Sequence, residues 1–147
     1  MNSERKIVPI IFGILILTGT SGIQFAPMSI QQVEAVHEKK IIGYFPEWEN
    51  GDVSKIDYSK LTHIIYFHIW PNNDGSLDTS AVHFDELATI VNNTHNAGKK
   101  VMIAAGGWGV SNGFGAMAAD DIARANFVNN VKLFLEEHNL DGIDIDW

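Results

Sequence analysis

Asp144 and Asp146 stand one residue apart at the end of the chain, within Leu140-Asp141-Gly142-Ile143-Asp144-Ile145-Asp146-Trp147. Acidic and bulky apolar side chains alternate there, which is the pattern of a short strand whose successive side chains point to opposite faces. Asp144 and Asp146 then share one face, and Ile143, Ile145 and Trp147 share the other. Two carboxylates about 6.6 Å apart along one face repel, and like charges so placed can raise a pKa until the pair holds a common proton. That arrangement suits acid–base chemistry, with one proton traded between neighbouring oxygens beside a reacting group. The plain alternative is an acidic strand facing solvent, although a parallel sheet would bury that face. An EF-hand calcium loop does not fit, because it needs oxygens at positions 1, 3 and 5 with a glycine at 6, and Gly142 falls elsewhere. The next residue on the acidic face would be number 148, one beyond Trp147.

A strand of this kind needs a sheet to hold it, and from Lys40 the pattern is strand and helix in alternation. Residues 41–45 are a short apolar run stopped by Pro46, and Trp48 follows in the loop. Residues 62–69 form a second apolar strand stopped by Pro71, and Asn72-Asn73-Asp74-Gly75 is turn chemistry. Phe84, Leu87, Ile90 and Val91 recur at helical spacing, with Gly98 placed as a C-cap glycine. Residues 100–105 read as a third strand entering Gly106-Gly107-Trp108-Gly109. Asp120 can cap a helix whose buried stripe is Phe127, Val131, Phe134, Leu135 and His138. The acidic strand comes fourth. This alternation predicts parallel βαβ units, four strands with crossovers between them.

Gly106-Gly107 at a strand's carboxyl end is either a phosphate cradle or a tight exit that lets backbone approach a ligand. A G-x-G-x-x-G pattern fails because Asn112 stands where the third glycine belongs, and no Gly-Lys-Ser/Thr follows. The histidines show neither H-x-x-x-H nor H-E-x-x-H spacing, so a catalytic zinc is not expected. Trp48, Trp70 and Trp108 all read as following strand ends, where an indole either joins the core or offers a sugar ring a stacking surface.

The chain has 147 residues, 46% of them hydrophobic, a formal charge of −8 and mean hydropathy of zero. This is an ordinary soluble composition, one domain or part of one. Its acidity argues against nucleic acid as a partner and is compatible with a neutral substrate. Without cysteine there is no disulfide or thiolate chemistry. Arg5 and Lys6 precede an apolar run over residues 7–17 and then a small-residue stretch, the pattern of a secretory signal. Val33-Glu34-Ala35 offers cleavage before Val36, with Thr20-Ser21-Gly22 as another possibility. The expected division is therefore a signal over residues 1–35 and a domain over residues 36–147, secreted and free of the membrane once cleaved.

Together these segments resemble glycoside hydrolase family 18, the chitinases and their relatives. Ile42-Gly43-Tyr44-Phe45 is similar to the family's first strand. Residues 61–67 with Asp74-Gly75-Ser76-Leu77 are similar to its second strand and the turn after it. Ala104-Ala105-Gly106-Gly107-Trp108 resembles the S-x-G-G motif, with Ala104 in the serine's place. Asp141-Gly142-Ile143-Asp144-Ile145-Asp146-Trp147 resembles D-x-x-D-x-D-x-E up to its last residue. The glutamate of that motif, the family's general acid, would be residue 148.

The resemblance implies an α/β fold, the amino-terminal half of a (β/α)8 barrel with its site at the carboxyl ends of the strands. It implies retaining, substrate-assisted hydrolysis of β-1,4-linked N-acetylglucosamine polymers without cofactor or metal. By likeness Asp146 orients the substrate's acetamido group, Asp144 trades a proton with Asp146, and Tyr44 hydrogen-bonds within that cluster. Tyr44, Phe67, Gly106, Gly107 and Trp108 would meet substrate, while Asp141 and Ala104 would be structural parts of the motif. The partner implied is chitin or its oligosaccharides. Two readings follow: a chitinase-like enzyme, of which residues 36–147 alone would be inactive, and a non-catalytic, lectin-like chitin binder.

Overall fold

The computed structural model describes residues 39–49 and 51–147. The segment read above as a secretory signal lies outside the described residues. Among the described residues five strands form, β1 (Ile42–Pro46), β2 (His63–Pro71), β3 (Leu77–Asp78), β4 (Lys100–Gly106) and β5 (Gly142–Asp146). Three α-helices accompany them, α1 (Phe84–Asn96), α2 (Asn112–Ala119) and α3 (Asp121–Glu137). The strands β1, β2, β4 and β5 lie side by side in that order and run parallel.

The two prolines end their strands as the last paired residues rather than standing outside them. Trp70 accordingly lies within β2, opposite Asp78 of the short antiparallel β3, and not in a loop after the strand. The turn closing this hairpin is tied by Asn72 N–H to Ser76 O at 2.9 Å and Gly75 N–H to Asn72 O at 3.0 Å, with Gly75 at φ 84°. The first crossover is not an α-helix. Three 3-10 turns fill it, and Asp52 and Asp57 accept the backbone N–H groups of Ser54 and Ser59. Such local side-chain bonds compete with helix formation, which is why this connection stays broken into turns.

α1 buries Leu87, Ile90 and Val91, while Phe84 in its first turn is half exposed and leans on the His138 ring at 5.0 Å. Gly98 follows the helix at φ 68°, the left-handed geometry that suits glycine at such a stop. Asp120 caps α3 by accepting from Ile122 and Ala123 N–H at 3.0 and 2.8 Å. Phe127, Val131 and Phe134 are its buried stripe.

Strand register sorts the two faces of the sheet. Phe45, Ile64, Tyr66, Ile103 and Ala105 point to the helices and form one core with Leu87, Ile90, Phe114 and Phe127. The pairings Tyr44 with Ile65, Ile65 with Met102, and Ala104 with Asp144 place those residues on the opposite face, away from the helices.

Candidate functional site

β5 carries the acidic pair. Ile143 packs against the core and Trp147 stacks on Phe114 at 5.3 Å, so the apolar face is turned to the helices. Asp144 and Asp146 therefore point to the helix-free side, where the Tyr44 hydroxyl donates to Asp144 Oδ2 at 2.7 Å. That bond, then partial burial and the charges of Asp144 and Asp146, push the Tyr44 phenol up to about 12. Tyr44 is thus a proton-bearing donor throughout the neutral range.

The exit of β4 is shaped by close approach. Gly107 N–H donates to Asp146 O at 2.8 Å. A Cβ on Gly106 would stand 2.4 Å from that same oxygen, and one on Gly107 would stand 2.5 Å from Phe67 Cζ and 3.4 Å from Asp146 Oδ2. Their φ angles of 94° and 120° lie in the region that side chains avoid. The glycine pair lets two strand ends and an aromatic ring converge beside the Asp146 carboxylate. Ser111 fastens the loop: its hydroxyl accepts from Gly107 N–H at 3.0 Å and lies 2.9 Å from both Gly107 O and Asp146 O. Nothing in its sequence context marks this serine.

Phe67 sits edge-on to Tyr44 at 6.4 Å and to Trp48 at 5.5 Å. Trp108 is fully exposed and takes no part in the core. Ala104 is completely buried beside Asp144 in the ladder, and its methyl offers that carboxylate no hydrogen bond. These residues and the acidic pair gather at the carboxyl ends of the strands.

Asp141 is elsewhere. It stands before β5, about 16 Å along the strand from Asp146, and accepts from Lys100 Nζ at 2.6 Å, His95 Nε2 at 2.8 Å and Val101 N–H at 2.9 Å. Burial pushes its carboxyl up, but these three donors together outweigh it and hold the pKa down to about 2. It braces the amino end of the sheet and does not belong to the site.

Trp70, placed within β2 and not after its end, turns its indole N–H to donate to His68 Nε2. His68 and Glu47, both buried, escaped sequence reasoning because nothing local marks a loop glutamate as buried. A surface cavity of about 290 Å³ borders Trp70, Pro71 and Val110 but does not reach the two aspartates, and the carboxylates rather than this hollow define the site. Among the described residues no group of three or more His, Cys, Asp or Glu side chains is placed to hold a metal ion.

The model of the family described as "Glycosyl hydrolases family 18" matches residues 40–147. Probable chitinase 10 of Drosophila melanogaster is 34% identical over 135 residues, covering 81% of this chain and 6% of that protein. The Group IV chitinase of Ostrinia furnacalis, solved in complex with allosamidin, superposes with a TM-score of 0.67 at 28% identity, covering 74% of this chain and 33% of that one. A human pseudo-chitinase with retained chitooligosaccharide binding superposes with a TM-score of 0.61 at 28% identity, covering 74% of this chain and 32% of that one. The chain thus spans about a third or less of each of these relatives. The parallel order β1-β2-β4-β5 with helices on one face is part of the α/β barrel such relatives share.

Proposed function

The chain belongs to the glycosyl hydrolases of family 18, and on that premise we propose that the protein cleaves β-1,4-linked N-acetylglucosamine polymers with retention, using the substrate's own acetamido group. The observation that carries this reading is the Tyr44 hydroxyl 2.7 Å from Asp144 on the strand face that Asp146 shares. In that geometry the sugar's acetamido oxygen attacks the anomeric carbon, and the bond to the leaving glycosidic oxygen breaks. Asp146 accepts the acetamido N–H, turning the carbonyl oxygen toward the carbon and stabilising the positive charge that develops on the ring so formed. Asp144, held by Tyr44, lies behind Asp146 as its proton partner. The proton for the leaving oxygen would come from position 148, the next place on that face, where the family motif has glutamate. Water then bonds to the anomeric carbon, its proton returning to the group at position 148, and the bond from that carbon to the acetamido oxygen breaks, which regenerates the acetamide with the original anomeric configuration.

Phe67 and Gly107 lie beside the Asp146 carboxylate and would meet the sugar chain, and Trp108, the residue after Gly107, would offer an exposed stacking surface. The likeness to proteins that bind allosamidin or chitooligosaccharides supports a chitooligosaccharide ligand. We further infer secretion from the basic, apolar and small-residue order of residues 1–35; retention of the protein in cells, with residue 1 still present, would oppose it.

A non-catalytic chitin binder is the second reading, favoured by the likeness to a pseudo-chitinase that retains oligosaccharide binding. Both are tested by giving the native protein an N-acetylglucosamine hexamer and following the anomeric protons by NMR. Fresh β-anomer as the first product supports the enzyme, initial α-anomer contradicts the mechanism, and binding without cleavage supports the lectin-like reading.

A further inference from the structure

Glu47 and His68 are titratable side chains that the proposed chemistry does not use, and only 9% and 8% of their side-chain surfaces are exposed. Glu47 begins the 3-10 turn after β1, and His68 follows Phe67 in β2. Glu47 Oε1 and His68 Nδ1 are 3.4 Å apart, and neither His68 Nδ1 nor Glu47 Oε2 has a hydrogen-bond partner among the described residues. The Trp70 indole N–H donates to the other ring nitrogen, His68 Nε2. An indole nitrogen only donates, so Nε2 must be bare, and the single proton of a neutral ring sits on Nδ1 facing the Glu47 carboxylate.

The same imidazole supports the aromatic side of the cleft. Its centroid is 4.1 Å from Phe67 and 6.3 Å from Trp48, which themselves meet edge-on. Phe67 in turn abuts Gly107, whose backbone is bonded to Asp146. A shift of His68 therefore reaches the wall nearest the carboxylates.

We propose that neutral His68 is a positioning residue for saccharide binding, held by the Trp70 indole with Glu47 facing its other nitrogen, so that Phe67, with Trp48 packed against it, stands fixed beside Gly107 and Asp146, and that taking up a second proton releases this wall. The proposal rests on the saccharide reading above. Protonating Nε2 would set two donors against each other, so the Trp70 bond must break. The charged groups facing the ring are Glu47, from the turn after β1, and Asp146, from β5; both favour the imidazolium. Burial opposes them, has the largest influence and lowers the His68 pKa. The neutral, positioned form therefore persists at neutral pH and gives way in acid.

His68→Gln separates the two roles. Its amide oxygen can accept from Trp70 and its N–H can face Glu47, yet it takes up no proton in the working range. Calorimetric titration of an N-acetylglucosamine tetramer into the full chain, from about pH 7 to about pH 4, reads the effect. Affinity of the unmodified chain should fall relative to His68→Gln, approaching about tenfold per pH unit once His68 titrates. The two should agree within a few-fold at neutral pH. Trp70→Phe deletes the indole bond that holds the ring and should lower the neutral-pH affinity toward the value the unmodified chain shows in acid. Parallel pH curves for the unmodified chain and His68→Gln would overturn the proposal. The imidazole tautomer in the unmodified chain, read by long-range proton–nitrogen NMR with ¹⁵N-histidine, is independent of whether variants fold. Protonation at Nδ1 with a bare Nε2 supports the assignment, and the Nε2-protonated form overturns it. If the unmodified chain binds no tetramer at any pH, the saccharide reading itself fails, and the tautomer alone then decides whether His68 is held as described.

Discussion

Tyr44 and Asp144 are one hundred residues apart and separated by two intervening strands, yet the Tyr44 hydroxyl donates to Asp144 Oδ2 at 2.7 Å. A flat sheet would keep β1 and β5 about 14 Å apart, too far for a tyrosine and an aspartate to meet easily. The bond therefore records strong curvature of the sheet with the acidic face inside, as barrel strands require. It also joins the first parallel strand to the last, so the site and the curvature share an interaction.

Tyr44→Phe keeps the ring and deletes that bond. Because Tyr44 is 58% exposed, solvent screens the interaction, and thermal stability should change little. A hydrogen bond to a charged group is worth about 1.5–3 kcal/mol, which, if realised in the transition state, corresponds to about ten- to a hundredfold in rate. Steady-state kinetics on a chromogenic N-acetylglucosamine oligomer should show that loss in kcat/KM; an unchanged value removes Tyr44 from the machinery.

The same contact makes Tyr44 a late-ionising phenol. Its pKa is raised in the folded state, to about 12. The contribution to stability is therefore complete below the ordinary phenol value near 10 and is lost as pH rises through about 12. Ultraviolet difference titration of the unmodified protein against Tyr44→Phe should show no Tyr44 phenolate near pH 10. An ordinary ionisation there would mean the Asp144 contact is absent in solution.

Asp141 gives the opposite sign. Its folded pKa is lowered, to about 2, so its contribution is present above the unfolded carboxylate value and lost as pH falls toward about 2. The depression corresponds to about 2 kcal/mol at neutral pH. Urea unfolding of Asp141→Asn should show that loss near pH 7 and a shrinking difference below about pH 4. A difference independent of pH would show that Lys100 and His95 do not discriminate the ionised form.

Gly106 and Gly109 form a matched pair, both at positive φ, 94° and 80°. A Cβ at 106 would collide with Asp146 O at 2.4 Å, whereas at 109 it would meet nothing within 4 Å. Gly109→Ala should cost about 1 kcal/mol in backbone strain alone. Gly106→Ala should cost at least twice as much and weaken oligosaccharide binding, because β5 must shift to admit the methyl. Equal losses by denaturant unfolding would mean the approach of β4 to β5 is looser than described.

What the sequence disclosed follows from which signals are local. Period-two alternation in β5 and the helical spacing of Leu87, Ile90 and Val91 are properties of neighbouring residues, so both elements could be read directly. α2 carries no such mark: Gly113 and Gly115 stand in its opening turns, and the Ser111 hydroxyl is committed to Gly107 and Asp146 instead of capping. A proline signals only that a strand is ending, so nothing local reveals that Pro71 is itself paired, that Trp70 lies inside β2, or that the two-residue β3 follows. Asp141 shares a motif with the acidic pair in sequence, but the length of β5 carries it to the other end of the sheet. The Glu47–His68 contact joins two elements that only tertiary packing brings together.

Trp108 is fully exposed, so removing it should leave the fold untouched. A sugar face laid on an indole removes apolar area from water, and about 50 Å² so covered is worth about 1 kcal/mol. Trp108→Ala should then weaken tetramer binding several-fold or more with no change in melting temperature. Unaltered affinity by calorimetry would place the sugar chain away from the β4 exit.

The most direct measurement is turnover of a chromogenic N-acetylglucosamine oligomer by the native protein and by Asp146→Asn, compared at equal folded concentration. If Asp146 orients the acetamido group and stabilises the charge it develops, the variant should lose about 10²–10³-fold in kcat, with KM changed far less. A native protein that cleaves the oligomer and an Asp146→Asn variant that keeps its kcat would contradict the account, because catalysis would then not run through this face of β5.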